Sequence, residues 1–130
     1  VEKGGVINIL RAFDIRADYE EFSNRWTDNI CPPVSSLPKN GAVINDGDLM
    51  GFLAMTDCDF AIITWYEFDK VSGRKKHNAF NLYIEWCKQV AKQNNKKFIF
   101  CFSNKSGIIR VLESHKFCTI ERGHYALEVL

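Results

Sequence analysis

Between Phe60 and Phe102 the hydrophobic period of the chain changes twice, and this restricts the possible folds more than any other feature. Phe60 to Phe68 is a run of β-branched and aromatic residues, the composition of a central strand. From about Lys75 the spacing becomes helical, with Ala79, Leu82, Tyr83, Trp86, Cys87, Val90 and Ala91 on one stripe. Phe98 to Phe102 is then an unbroken apolar run, which predicts a strand buried on both faces. A strand, a long covering helix and a second strand make a right-handed crossover, so the two strands are expected to be parallel neighbours.

The flanking segments read as shorter elements. Val6 to Leu10 suits a first strand, and Asp14 and Asp18 offer caps to a helix carrying Tyr19, Phe22 and Trp26. Pro32, Pro33 and Pro38 predict a loop or a single helical turn. Gly41 to Asn45 and Leu49 to Met55 read as a hairpin across the NDGD turn at Asn45 to Asp48, and a polar turn at Thr56 to Asp59 leads into the Phe60 strand. After Phe102, Ser103 and Asn104 can cap a helix with Ile108, Ile109 and Leu112. Phe117 to Arg122 and Tyr125 to Leu130 then close as a hairpin across Gly123 and His124. The class is α/β (α+β): a mixed sheet built from an antiparallel meander, a long crossover helix, a parallel strand, a second helix and a closing hairpin. With 130 residues, a single domain over 1–130 is expected.

Composition narrows the functions. Seventeen basic against sixteen acidic residues give no field to recruit nucleic acid, and basic residues form no stripe with exposed aromatics. Five scattered cysteines, with no CxxC pair or zinc-finger spacing, read as free thiols, and no metal site is expected. No segment approaches the roughly 20 apolar residues of a membrane span. A cytoplasmic setting, or packaging in a virion, is the expectation.

The start of the long helix reads SGRKKHNAF. Arg74, Lys75 and Lys76 place cations where a helix dipole disfavours them, and an anionic ligand would offset that cost. A solvated basic turn is the plainer alternative. Further on, Asn104 follows the Phe98 strand and the next helix ends in VLESHKF, Val111 to Phe117.

With this element order, these segments resemble the GNAT N-acyltransferases from end to end. RKKHNA matches the first and last positions of that family's [Q/R]xxGx[G/A] loop, with His77 in place of the central glycine. VLESHKF matches LYExxGF, with Leu112 where the family has a tyrosine that protonates the leaving thiolate and Lys116 where it has glycine. The resemblance implies that acetyl-CoA enters where the two parallel strands splay apart at their C-terminal ends. Phe68, Gly73, Arg74, Lys75, Lys76, His77, Asn78, Ala79 and Asn104 would hold it, and Glu67 would take the proton of an amine acceptor, a small molecule or a protein. Glu67 reads more simply as a strand-end carboxylate, and Asn104 equally well as a cap. Trp65, Tyr66 and Phe68 would line a pantetheine groove or fill the core, and Cys101 reads as a core residue. Replacement of the family residues at His77 and Leu112 favours a rival, a non-catalytic GNAT-like protein; SGRKK and FSNKSGIIRVLESHKF are similar to GNAT-like internal virion proteins of short-tailed bacteriophages.

Overall fold

The computed structural model describes residues 9–26, 30–47, 49–67, 73–103 and 105–130, with the backbone alone at residues 46, 66–67 and 73–75. Its strands are β1 (Leu10–Ala12), β2 (Asn40–Ile44), β3 (Leu49–Met55), β4 (Phe60–Glu67), β5 (Phe98–Phe102), β6 (Cys118–Glu121) and β7 (His124–Glu128). Its α-helices are α1 (Ile15–Arg25), α2 (Gly73–Gln93) and α3 (Ser106–Ser114), with a short 3-10 turn at Val34–Ser36 in the proline-rich stretch. The described strands form one mixed sheet in the order β1-β2-β3-β4-β5-β7-β6. Element order and fold class agree with the sequence reading.

The first described strand runs two residues beyond the expected end at Leu10. Val6 to Asn8 lie outside the described residues, Ile9 is exposed, and the pairing with β2 runs from Leu10 to Ala12. Arg11, one residue past the expected end, sits within an edge strand and forms a two-pronged bond to Asp18, 2.8 Å at each oxygen. Asp18 is therefore not the N-cap residue, although it contributes to the cap. It is buried, and it also accepts the Asp14 amide at 2.7 Å. Asp14 is the N-cap of α1, accepting the amide of Arg16.

The two faces of the sheet are covered unequally. Helix α1 packs Phe22 against Val43, Met50 and Phe52, with Phe13, Tyr19 and Trp26 around them. On the opposite face α2 and α3 bury Phe80, Tyr83, Ile84, Ile108 and Leu112 against Leu53, Ala61, Ile63 and Ile99. Each fully buried side chain of the size of Phe80 or Ile84 contributes roughly 1.5–3 kcal/mol. The helical stripe read from sequence is correct but too narrow, because Phe80 and Ile84 are buried too.

Strand β5 is not buried on both faces. Ile99 and Cys101 face the helices, while Phe98 and Phe100 are partly exposed and Phe102 is 59% exposed. The α1 cluster is built on β2 and β3, and two phenylalanines of β5 are instead covered by neighbouring rings: Phe60 of β4 stacks on Phe100 with centroids 4.6 Å apart, and Phe98 lies 6.4 Å from Phe100.

Candidate functional site

Strands β4 and β5 run parallel, but only Phe60, Ala61 and Ile62 pair with Phe98, Ile99 and Phe100. Beyond that point β4 continues along β3 as far as Glu67, whereas Cys101 and Phe102 stay with β7, paired to Tyr125 and His124. The sheet therefore opens at the C-terminal ends of its two central strands. Helices α2 and α3 begin beside that opening because each follows one of the separating strands.

Two cavities lie at the opening. The first, of about 260 Å³, is bounded by Lys76, His77 and Phe80 of α2 and by Lys105, Gly107, Ile108 and Val111 at the start of α3. Its rim is cationic and its wall is apolar. Lys105 occupies the N-cap position of α3 without a side-chain hydrogen bond to the helix, and the first turn of α2 holds no acidic residue. Both helices thus place positive ends and lysines toward one concavity, an arrangement that favours an anion. Gly107 has another property of a binding surface. A Cβ there would meet nothing within 4 Å, so packing does not demand the glycine.

The second cavity, of about 360 Å³, is the gap itself. Ile62, Ile63 and Thr64 form one side, Phe100, Cys101 and Phe102 the other, and Ile120, His124 and Tyr125 of the closing hairpin complete it. Burial pushes the Cys101 thiol up to about 12, so it stays protonated and is a wall rather than a nucleophile. Among the described residues no group of His, Cys, Asp and Glu side chains is arranged to hold a metal ion.

Of the residues expected to bind the cofactor, Lys76 and His77 line the first cavity. Asn78 is exposed beside it, and Ala79 is buried in the core below. Gly73, Arg74 and Lys75 belong to the first turn of α2 by their backbone, and Glu67 is the last residue of β4. Phe68 and Asn104 lie outside the described residues. Just before α3 the Ser103 hydroxyl accepts the Lys105 amide at 3.2 Å, a turn that leads into the helix without capping it. Lys105, Gly107, Ile108 and Val111 were missed from sequence. Gly107 was the available signal, a helix-start glycine with no turn to make.

The LYExxGF comparison gains a structural meaning at two positions. Leu112 is fully buried and belongs to neither cavity wall, so it fills the core. Lys116 has φ of +75°, the left-handed conformation in which glycine is least strained.

No protein-family model matches the sequence, and no curated protein matches it. Solved structures do resemble it. An acetyltransferase of the GNAT family from Staphylococcus aureus Mu50 superposes with a TM-score of 0.68 at 12% identity, covering 95% of this chain and all of that one. A second Staphylococcus aureus Mu50 protein, an N-acetyltransferase, gives 0.68 at 9% identity over 96% of this chain and all of its own. The Salmonella typhimurium protein yncA, solved with its cofactor acetyl-CoA, gives 0.68 at 12% identity over 95% of this chain and 94% of its own. The chain therefore has the GNAT fold. Among the described residues no helix is long and apolar enough to cross a membrane.

Proposed function

We propose that the protein is an acyl-CoA-dependent N-acetyltransferase that transfers acetyl to an amine. The observation that carries this reading is the opening of the sheet after three paired residues, flanked by a cavity with Lys76, His77 and Lys105 at its rim. The residues fit the group. Lysines, with the positive ends of two helices, suit the phosphates, and Phe80, Ile108 and Val111 suit the pantetheine chain. Arg74 and Lys75, on the first turn of α2, add charge to the same end, and the end of β4 at Glu67 offers backbone groups to the arm. Acetyl-CoA supplies a thioester carbonyl for the amine to attack. The role of the chain is to fix the two reactants side by side and to accept a proton, for which Glu67 at the end of β4 is one candidate.

His77 stands where the family has glycine, yet its side chain lines the cavity rather than the core. An imidazole N–H on that wall would serve as a donor to a phosphate. With Leu112 in the core, no phenol at that position protonates the leaving sulfur, and turnover is expected to be slow.

Calorimetric titration with acetyl-CoA tests the reading, followed by thiol release on addition of an amine panel. Saturable binding abolished in Lys76→Ala/Lys105→Ala supports it. Absence of binding in the wild type overturns it and leaves the non-catalytic alternative, a GNAT-like internal virion protein.

A further inference from the structure

We infer that the gap between β4 and β5 receives the acceptor, and that this acceptor is a primary amine on an aromatic or branched apolar body, with His124 as the base that meets its nitrogen. The inference rests on the acyltransferase reading. Its ground is the lining: Ile62, Ile63, Phe100, Phe102 and Ile120 supply apolar surface, and among the described residues no carboxylate belongs to the wall. A polyamine would lose the hydration of its further ammonium groups there with no carboxylate on the wall to pair them, and ethanolamine, with no apolar body, would gain no burial, whereas a phenyl or isobutyl group would gain it. Phe102 and Ile120 are each 59% exposed in the free protein, so a ligand with an apolar body would cover surface that no described part of the chain covers.

The polar groups on the wall are few and local. Thr64 and Tyr125 can hydrogen bond, and His124 carries the imidazole of the lining, a group able to take up and release a proton. The His124 ring packs on Phe102 with centroids 5.0 Å apart, and its Nδ1 lies 3.7 Å from Glu121 Oε1. Glu121, on β6, is a charged group facing it, but at 3.7 Å it makes no hydrogen bond, so either ring nitrogen can present its lone pair to the amine. The side chain is half-exposed, which lets the proton pass on to water. In the transfer the N–C bond forms and the C–S bond breaks. The amine proton goes to His124, and the sulfur leaves as a thiolate that takes a proton from water.

The test uses the full chain with acetyl-CoA and two probes, phenethylamine and ethanolamine. A kcat/KM at least about tenfold higher for phenethylamine is expected. Ile120→Lys should raise the phenethylamine KM about tenfold, and His124→Gln should lower kcat by about a hundredfold or more, both with unchanged acetyl-CoA affinity as the check on folding. Calorimetric binding of phenethylamine to the CoA-loaded protein serves as the readout if turnover is too slow to follow. If acetyl-CoA binds but the two amines are used or bound equally, or phenethylamine is neither used nor bound, the inference falls and the acyltransferase reading stands. It also falls if Ile120→Lys alters the preference among acetyl-, butyryl- and hexanoyl-CoA instead of amine KM, since the gap would then hold the acyl chain. Unaltered kcat in His124→Gln overturns the assignment of the base. Failure to bind acetyl-CoA at all removes both.

Discussion

Tyr83 occupies the space that a side chain on Gly51 would need. A Cβ at Gly51 would lie 2.7 Å from Tyr83 Cδ1, and nearer still to other atoms of the ring, so α2 meets the sheet at the one β3 position without a side chain. The phenol passes beneath that glycine to sit within 2.8 Å of the carbonyl of Phe52 and 2.7 Å of that of Thr64, which are directly paired across β3 and β4. Gly51→Ala is therefore expected to cost about 1–3 kcal/mol through overpacking. Tyr83→Phe should cost about 1–3 kcal/mol by removing the one hydroxyl proton that these two carbonyls share. Urea denaturation measures both, and a neutral Gly51→Ala would contradict the packing described.

At the end of α3, Lys116 adopts φ of +75° while its amide donates to the Glu113 carbonyl and the Phe117 amide reaches Leu112 at 3.0 Å. This is the reversal in which glycine normally ends a helix. Lys116→Gly should stabilise the protein, by up to about 1 kcal/mol, because a side chain in this conformation is strained. A lower melting temperature in the variant would show that Lys116 makes a compensating contact.

His115 joins the same helix end to α2. Its Nε2 lies 2.7 Å from Asn81 Oδ1; because the Asn81 amide nitrogen donates to the His77 carbonyl, Nε2 is the protonated nitrogen. Burial, then the Lys88 charge, hold its pKa below the ordinary value of 6.5, with Glu85 opposing. The unfolded chain therefore binds this proton more readily than the folded one. The stability that follows is complete above about pH 6.5 and is lost as pH falls from there through the folded value. Urea midpoints from pH 7.5 to 5 should fall in the wild type and change less in His115→Gln. Parallel profiles would place the titration elsewhere.

The cationic cavity makes a separate claim about charge and space. Lys76→Ala and Lys105→Ala should each weaken CoA binding by about 1.5–3 kcal/mol, the contribution of a charge-assisted bond, and should flatten its dependence on salt. Gly107→Ala should leave stability unchanged or raised, since the added carbon meets nothing, while it reduces affinity. Calorimetry and thermal unfolding on the same preparations separate the two effects.

Much of the fold was legible because its strongest signals are local. Asn45 and Gly47 do adopt the positive φ that the NDGD turn requires, the α2 stripe faces the core, and Asp14 caps α1. What escaped depends on partners distant in sequence. Arg11 continues the edge strand β1, where its side chain is half-exposed and paired with Asp18. The apolar run of β5 does not reveal that α1 covers the other half of the sheet. At the site, Lys76 and His77 could be proposed from a helix start, but Lys105 and Gly107 join them only when β5 returns the chain to the end of β4.

The three-residue pairing between β4 and β5 also divides the sheet mechanically. Four described strands lie on one side and three on the other, joined by those few rungs and by α2 and its neighbours. Amide protons near the seam should exchange through local opening rather than global unfolding. A molecule seated in the opening would touch both halves and act as a brace, so slower exchange along Ile62 to Thr64 and Phe100 to Phe102 would locate a bound ligand before any product is detected.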